Sequence, residues 1–246
     1  AELDVPASRP VDFGVCDDGK SVYQLLTWID GEDAAEVLPT LNEAEQYALG
    51  IKSGEILRKI HSIPAPVTIE PWATRFQRKI DDWVEKYNSN PAVHSDIGAV
   101  IIEYLRKNCR ILENREQTFI HGDFNTENII ICNGELGLID FNSYNSPYGD
   151  PWWEFYSIAW TNTEPIHYFR GQINGYFSSN PPEEFFAVLA YYCAYCALTA
   201  IADTEELNGQ SNGVDVANMI LRWYDNFNSV VPSWYLQDWS IENDQT

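Results

Sequence analysis

The segment from residue 118 to residue 141 constrains the fold of this 246-residue chain more than any other part of the sequence. It contains three short β-type runs: 118–120, 128–132 and 136–139. Asn133-Gly134 joins the last two runs, and this dipeptide is the one that best tolerates the positive φ angles of a tight hairpin turn. The sequence therefore predicts a strand, a polar loop and a β-hairpin in close succession.

Three polar side chains occupy particular positions in this segment. Asp123 lies in the loop, Asn128 follows five residues later, and Asp140 comes directly after the hairpin. Phosphoryl transfer requires a carboxylate that orients the attacking hydroxyl and accepts its proton, and oxygen ligands that hold magnesium against the phosphates of ATP. The kinase pattern has these groups in the same order. Taken singly, such side chains are more often solvated loop groups or caps, but their combination indicates phosphoryl transfer.

Two neighbours of these residues have other predicted roles. His121 precedes Asp123 by two residues, and a histidine in this position usually orients the loop by hydrogen bonding and seldom exchanges protons itself. Glu127 is adjacent to Asn128, and strand alternation would direct its side chain away from a metal ion. We therefore predict a structural role for His121 and a solvated carboxylate at Glu127.

At these positions the chain resembles the aminoglycoside phosphotransferase and choline kinase-like superfamily. Four segments match the superfamily signature: His121-Gly122-Asp123, Asn128, Ile139-Asp140-Phe141 and Gly149-Asp150-Pro151. The resemblance implies a protein-kinase-like α+β fold, in which a small β N-lobe precedes a mainly helical C-lobe that carries the catalytic β-hairpin. It also implies that Asp123 is the catalytic base and that Asn128 and Asp140 bind Mg²⁺.

Weaker matches extend the resemblance over most of the chain. Residues 23–31 look like the last N-lobe strand and the hinge, and residues 57–61 look like the end of the first C-lobe helix. The resemblance implies that hinge backbone near Thr27 and Ile29 holds the adenine of ATP. One departure is Glu154, which stands where the family usually has a second Asp, and we expect it to anchor a helix with its longer side chain.

The N-terminal residues predict only the remainder of a β lobe. We assign residues 1–30 to the end of an N-lobe sheet and its hinge, and residues 31–246 to the helical C-lobe with the catalytic loop and the acceptor-binding region. A family N-lobe opens with a glycine-rich hairpin and a phosphate-binding lysine on its third strand, and none of the six lysines lies in such a strand. We therefore expect about 60–80 residues of the lobe to precede Ala1, with a natural truncation as the alternative.

Turn, cap and periodicity signals predict the other elements. Residues 11–16 and 21–27 are typical of a β-hairpin around a glycine-containing turn. Thr40 and Glu43 form a predicted capping box that begins a helix ending near His61. Helical spacing predicts two amphipathic helices and a longer helical region with two breaks: residues 72–87, residues 97–112, and residues 151–230 with breaks at 181–182 and 208–213.

The charge of the chain bears on its partners. The net charge of −22 repels nucleic acids and anionic membrane surfaces and attracts cations. Residues 116–246 contain 18 Asp or Glu against only Arg170 and Arg222, a net charge of −16. We therefore predict a small cationic acceptor, with solubility charge as the alternative. Trp153 and other tryptophans of this half could cage a quaternary ammonium group or pack the core.

The predicted function is ATP-dependent transfer of phosphate to a hydroxyl of a small, aminoglycoside-like molecule. A choline, ethanolamine or other small-metabolite kinase is an alternative. A nucleotide-binding pseudokinase would explain the missing lysine, but it would not require Asp123, Asn128 and Asp140 together. A scaffold without a ligand would leave the whole loop unexplained.

Cysteine content and one apolar run complete the prediction. The five cysteines lack the dense spacing of a secreted disulfide scaffold, which favours a reducing cytoplasm. Cys193 and Cys196 resemble a redox or metal pair, but their apolar helical surroundings favour buried packing. Residues 185–202 carry no charge and reach the lower length limit of a membrane span, yet the absence of flanking basic residues favours a central buried helix.

Overall fold

The computed structural model describes residues 4–141, 146–160, 166–203 and 213–236. These residues form three small antiparallel sheets and a larger helical body. The predicted α+β class is therefore confirmed.

The chain begins with the predicted β-hairpin. β1 (Pro10–Cys16) pairs antiparallel with β2 (Ser21–Leu26), and three residues in the turn between them have positive φ angles, including Gly19. Beyond the hinge, β3 (Glu32–Asp33) does not pair with this hairpin and belongs to a different sheet. The N-terminal hairpin and the rest of the described chain are thus connected through residues 27–31.

The first long helix begins at a different cap from the predicted one. After the short α1 (Ala34–Val37), α2 (Glu43–Ile60) is capped by Asn42 and Glu45, whose side chains each accept a hydrogen bond from the other's backbone N–H at 3.0 Å. The predicted box of Thr40 and Glu43 is wrong, because Thr40 ends a 3₁₀ turn and its hydroxyl donates to a carbonyl of α1. The helix nevertheless ends beside His61, as predicted.

The two amphipathic helices follow their predicted positions. α3 (Trp72–Ser89) and α4 (Asp96–Lys107) bury apolar side chains at helical spacing, with Phe76 and Ile101 fully inaccessible to solvent. α4 ends earlier than predicted, because Asn108 closes it and a separate 3₁₀ turn contains Leu112. One face of α3 borders the cavity beside Asp123.

The segment 118–141 forms the predicted strand, loop and hairpin. Its strands, with one that follows later, are β4 (Thr118–Phe119), β5 (Ile129–Cys132), β6 (Glu135–Leu138) and β7 (Tyr148–Gly149). β5 and β6 pair antiparallel around Asn133 and Gly134, whose φ angles of 51° and 74° are those of the predicted turn. Asn128 lies in a 3₁₀ turn, so the prediction that it begins a strand is wrong by one residue.

The C-terminal half is helical, as predicted. In the described residues of this half, a 3₁₀ segment (Pro151–Trp160) precedes α5 (Ile166–Phe177), α6 (Glu183–Ala202), α7 (Gly213–Trp223) and α8 (Ser233–Leu236). The predicted break at 181–182 is confirmed, and most of the break at 208–213 lies outside the described residues. α2 and α5 are in backbone contact, because a Cβ built on Gly54 would lie 2.0 Å from the carbonyl oxygen of Gln172.

α6 forms the centre of the core. It is long and apolar enough to cross a membrane, but 83% of its most apolar 18-residue window is buried within the protein, which agrees with the predicted buried helix. Cys193 and Cys196 are both buried and unbridged, so the packing interpretation is confirmed. Burial raises the pKa of the Cys193 thiol to about 12, which leaves it without nucleophilic character near neutral pH.

Candidate active site

The loop of residues 121–128, which the sequence predicts to be the catalytic loop, is organised by side-chain amides around Asp123. Asn125 Nδ2 donates to one carboxylate oxygen of Asp123 at 2.9 Å, and Asn128 Nδ2 donates to the other at 2.9 Å and to the Asp123 carbonyl at 2.8 Å. Asn125 Oδ1 in turn accepts from the amides of Glu127 and Asn128. The Asp123 carboxylate is therefore held in one orientation, with lone pairs left for a further donor.

Asn128 also ties the loop to the strand that leads to Asp140. The amide of Ile139 donates to the backbone carbonyl of Asn128 at 3.1 Å, and Asp140 is the next residue. Asp140 is solvent-exposed and has a φ angle of 54°, the left-handed region in which a non-glycine residue is uncommon. The structure thus links Asp123, Asn128 and the backbone beside Asp140 in one network.

His121 has contacts that suit its predicted role. Its Nδ1 accepts a hydrogen bond from the backbone N–H of Asp123 at 3.3 Å, which leaves the proton on Nε2, and Nε2 donates to the carbonyl of Ile139 at 2.9 Å. The ring also contacts Phe124 and Phe141. His121 therefore joins the catalytic loop to the strand before Asp140, while Glu127 is exposed as expected, although in a 3₁₀ turn and not a strand.

Glu154 lies in the 3₁₀ segment Pro151–Trp160 and binds the loop that carries Asp123. Its carboxylate is fully buried and accepts from the backbone amides of His121 at 2.7 Å and Gly122 at 3.0 Å. His61 lies 4.0 Å from the same carboxylate and contacts Tyr176 at 3.0 Å. The sequence identifies Glu154 as a departure from the family pattern. It does not predict the contact with His121, because the two residues are 33 positions apart.

Asp150 is the centre of a buried ion pair that sequence reasoning missed. Arg115 Nε and Nη2 donate to its two carboxylate oxygens at 2.8 and 2.9 Å, and the Tyr192 hydroxyl donates at 2.7 Å. The Arg115 guanidinium also lies 3.6 Å from the ring centroid of Trp152. Burial and the neighbouring Asp150 charge raise the pKa of Tyr192 well above its usual value. These contacts give Asp150 a structural role close to the catalytic loop.

The two predicted hinge residues lie at the edge of the N-terminal hairpin. The Thr27 amide donates to the Arg9 carbonyl and the Thr27 hydroxyl accepts from the Arg9 amide, both at 2.9 Å. Ile29 is half-buried and packs over Gly137 of β6, where an added Cβ would lie 2.7 Å from its side chain. The hinge is therefore positioned against the strand that leads to Asp140.

A cavity of about 620 Å³ opens beside Asp123. Its lining includes Trp72, Trp153 and Tyr156, and the last two rings are stacked with centroids 4.0 Å apart. Burial, with a smaller effect from the Asp123 charge, raises the pKa of the Tyr156 hydroxyl above its ordinary value. One face of α3, which includes Trp72, forms one wall of the cavity. The cavity can therefore admit a small molecule next to the Asp123 carboxylate.

Asn128 and Asp140 carry oxygen donors of the kind that Mg²⁺ binds. Asn128 uses its NH₂ group to bind Asp123, so its amide oxygen remains available, and Asp140 provides an exposed carboxylate. Across the described parts of the chain, no group of three or more His, Cys, Asp or Glu could hold a metal ion. Mg²⁺ commonly binds through one or two protein oxygens completed by phosphates and water, so this sparse donor set suits a metal that arrives with a nucleotide.

Comparison with known proteins reveals similarity at two levels. The model of the phosphotransferase enzyme family matches residues 1–186. Acyl-CoA dehydrogenase family member 11 from Homo sapiens is 32% identical over 144 residues, which is 54% of this chain but only 18% of that protein. The counterpart from Pongo abelii is 28% identical over the same shares. The chain thus spans about a fifth of the length of the curated relatives it matches.

Solved structures confirm the protein-kinase-like fold. A choline/ethanolamine kinase family protein from Mesorhizobium loti superimposes with a TM-score of 0.64 at 15% identity, covering 92% of this chain and 76% of that chain. A thermostable mutant of aminoglycoside phosphotransferase APH(4)-Ia, in a ternary complex with ADP and hygromycin B, gives a TM-score of 0.65 at 18% identity, covering 90% and 78%. At these identities the similarity establishes the fold.

Proposed function

The chain belongs to the phosphotransferase enzyme family, and from this premise we propose that it transfers the γ-phosphate of ATP to a hydroxyl group of a small molecule. The observation that carries the proposal is the Asp123 carboxylate, oriented by Asn125 and Asn128 and bordering a cavity large enough for a small acceptor. A carboxylate held this way can orient a hydroxyl and take its proton.

The reaction follows from this placement. An acceptor in the cavity donates a hydrogen bond from its hydroxyl to Asp123, and the hydroxyl oxygen attacks the γ-phosphorus. The bond between that phosphorus and the oxygen bridging to the β-phosphate breaks, and ADP leaves with the electron pair. The hydroxyl proton passes to the Asp123 carboxylate, and the product is a phosphate monoester. A positioned general base of this kind accelerates a reaction by about 10²–10⁴.

Asn128 and Asp140 are the proposed ligands of Mg²⁺. The bound ion would supply neutralisation of the negative charge on the β- and γ-phosphates. Asn128 has two functions in this proposal, since its NH₂ group orients Asp123 while its amide oxygen remains available to the ion. An asparagine suits both, because one end of its amide is a donor and the other an acceptor.

The hinge is the proposed adenine site. Adenine presents an amino donor and ring-nitrogen acceptors, which complement a backbone carbonyl and a backbone amide. The amide of Thr27 is engaged with Arg9, so its carbonyl and the amide of Ile29 are the proposed partners. The neighbour that contains ADP supports a nucleotide at this site.

We keep residues 1–30 and 31–246 as the proposed lobes. The unbridged cysteines of the described chain support a reducing compartment such as the cytoplasm.

Two properties bear on the finer identity of the acceptor. A cation, whether aminoglycoside-like or resembling choline or ethanolamine, is supported by the net charge of −16 over residues 116–246 and by neighbours named for such compounds. The cations Arg75, Arg78 and Lys79 in the lining of the cavity oppose it. A pseudokinase is less well supported, because the oriented Asp123 and the ligand pair of Asn128 and Asp140 are needed for transfer and not for nucleotide binding alone.

The test is direct detection of the product. The protein, with any N-terminal extension its gene encodes, is incubated with Mg²⁺-ATP and a panel of aminoglycosides, choline, ethanolamine, homoserine, hydroxy acids and neutral sugars. Coupled ADP release identifies active acceptors, and phosphorus NMR identifies the phosphate monoester. We expect acceptor-dependent ADP release that requires Mg²⁺. Nucleotide binding without a phosphorylated product from any of these classes would favour the pseudokinase.

A further inference from the structure

The wall that α3 contributes to the cavity has an unusual charge for this chain. Arg75, Arg78 and Lys79 all line the cavity beside Asp123, and spacings of three and four residues place them on one helix face. Asp82 is the acidic residue that α3 adds to the same lining. Only 15 of the 246 residues are Lys or Arg, so three on one wall is a local concentration against the net charge of −22.

The three cations differ in how far their charges are compensated. Arg78 is paired with Glu70 through two hydrogen bonds of 2.8 and 2.6 Å, so its charge is neutralised at contact distance. Arg75 Nη2 donates to the Gln117 side chain and to the Tyr148 carbonyl, and both of these acceptors are uncharged. The positive charge of Arg75 therefore has no contact counter-ion in the described parts of the chain.

Lys79 has the least compensated charge. No carboxylate or other acceptor from residues 4–141, 146–160, 166–203 or 213–236 lies within bonding distance of its ammonium group. Burial, followed by repulsion from Arg75, lowers the pKa of Lys79. The two neighbouring cations, Arg75 and Lys79, therefore disfavour the binding of a third cation in the cavity and favour the binding of an anion.

Resting on the phosphoryl transfer proposed above, we propose that the acceptor is a hydroxylated anion. Its carboxylate or phosphate group binds Lys79 and Arg75, its carbon skeleton packs against Trp153 and Tyr156, and its hydroxyl reaches Asp123. This reverses the cationic acceptor expected from the sequence. That expectation counted residues 116–246, whereas the charged wall of the cavity belongs to α3.

Distance explains why the wall outweighs the net charge. Exposed charges farther apart than about 8–10 Å are largely screened at physiological ionic strength, but charges that line a partly buried cavity are screened much less. The acidic residues spread over the C-terminal half therefore influence the approach of a ligand. The residues in contact with it decide which ligand is retained.

Four compounds with the same three-carbon skeleton test the proposal: glycerate, glycerol 3-phosphate, glycerol and 3-amino-1,2-propanediol. Calorimetry measures their binding and coupled ADP release measures their phosphorylation. We expect at least one anion to bind more tightly than glycerol by roughly tenfold or more, the scale of one charge-assisted hydrogen bond, and the amine to bind most weakly. The two anions distinguish a carboxylate site from a phosphate site.

Variants of α3 connect the preference to Lys79. Lys79→Gln is expected to abolish the preference for the anion, and Lys79→Arg is expected to retain it. Lys86→Gln is the matched control, because Lys86 lies on the same helix but pairs with Asp203 outside the cavity lining. The proposal is overturned if the amine binds most tightly, if neither anion binds better than glycerol, or if Lys79→Gln leaves anion affinity unchanged.

Asp123→Asn separates this proposal from the phosphotransferase proposal, since it is expected to slow transfer by about 10²–10⁴ while anion binding remains. Phosphorylation of a cation that depends on Asp123 would overturn the anion proposal and leave the phosphotransferase proposal standing. Anion binding that depends on Lys79, without ADP release from any acceptor, would support the anion site and contradict the phosphotransferase proposal.

Discussion

Replacement of Glu154 by Gln should both destabilise the protein and slow its reaction. The buried carboxylate accepts two backbone hydrogen bonds, from His121 at 2.7 Å and Gly122 at 3.0 Å. Glutamine has the same shape but only one acceptor oxygen. Whichever way its amide is turned, one of the two backbone N–H groups faces an NH₂ group and loses its partner.

The size of the effect follows from this loss. A hydrogen bond to a charged group contributes about 1.5–3 kcal/mol, and a buried donor left unpaired costs about 1–3 kcal/mol. We expect the free energy of unfolding to fall by about 2–3 kcal/mol, which corresponds to a decrease in Tm of roughly 4–12 °C for a protein of this size. Turnover should fall by up to about 10²-fold, because the loop that carries Asp123 loses its anchor and a displacement of about 1 Å can have that effect.

Urea unfolding and coupled ADP release measure the two effects. Glu127→Gln is the matched control, since it removes a negative charge from the same loop at an exposed position and should change stability by less than about 0.5 kcal/mol. Glu154→Asp retains the charge but shortens the side chain, so it should lie between Gln and the native residue. A Glu154→Gln protein as stable and as active as the Glu127→Gln control would refute this role for Glu154.

Three further predictions concern separate parts of the structure. Arg115→Leu leaves the buried Asp150 carboxylate without its counter-ion and should lower the free energy of unfolding by about 3–5 kcal/mol; a loss below about 1 kcal/mol in urea unfolding would contradict this. Gly54→Ala forces a methyl group against the Gln172 carbonyl and should lower the free energy of unfolding by about 1–3 kcal/mol in the same assay. Unchanged stability would mean that α2 and α5 can move apart without cost. Asp140→Ala should weaken Mg²⁺-dependent binding of a non-hydrolysable ATP analogue in calorimetry, and an unchanged affinity would place the ion elsewhere.

Local signals predicted the catalytic hairpin well, because its geometry depends on residues adjacent in the chain. Asn133 and Gly134 adopt positive φ angles wherever they form such a turn, and the amide network of Asp123, Asn125 and Asn128 closes within six residues. The spacing of these side chains along the sequence is therefore almost their spacing in space.

Predictions failed where two nearby residues could both act as an N-cap, or where the partner of a side chain is distant in the sequence. Thr40 and Asn42 are both acceptable N-caps, and the 3₁₀ turn that ends at Thr40 decides between them. Glu154 and Asp150 each bind groups more than 30 residues away, so no spacing rule identifies their partners.

The proposal of an anionic acceptor likewise rests on residues that are distant from one another in the sequence. Net charge is a sum over the sequence, but the ligand contacts only the residues that the fold brings to the cavity. Lys79 and Asp123 are 44 positions apart and border one cavity, whereas most of the acidic residues counted in the C-terminal half do not line it. Only the fold, which brings α3 and the loop of Asp123 to one cavity, reveals this arrangement.

The rate of phosphate-monoester formation by Asp123→Asn, measured beside Glu127→Gln on the best acceptor, tests the proposed phosphoryl transfer most directly. Asparagine preserves the size of the side chain but cannot accept the hydroxyl proton as a carboxylate does. We expect turnover to fall by about 10²–10⁴ while affinity for Mg²⁺-ATP stays nearly unchanged, and we expect Glu127→Gln to behave like the native protein. Equal turnover by Asp123→Asn and the native protein would remove Asp123 from the mechanism and contradict the proposed function of this site.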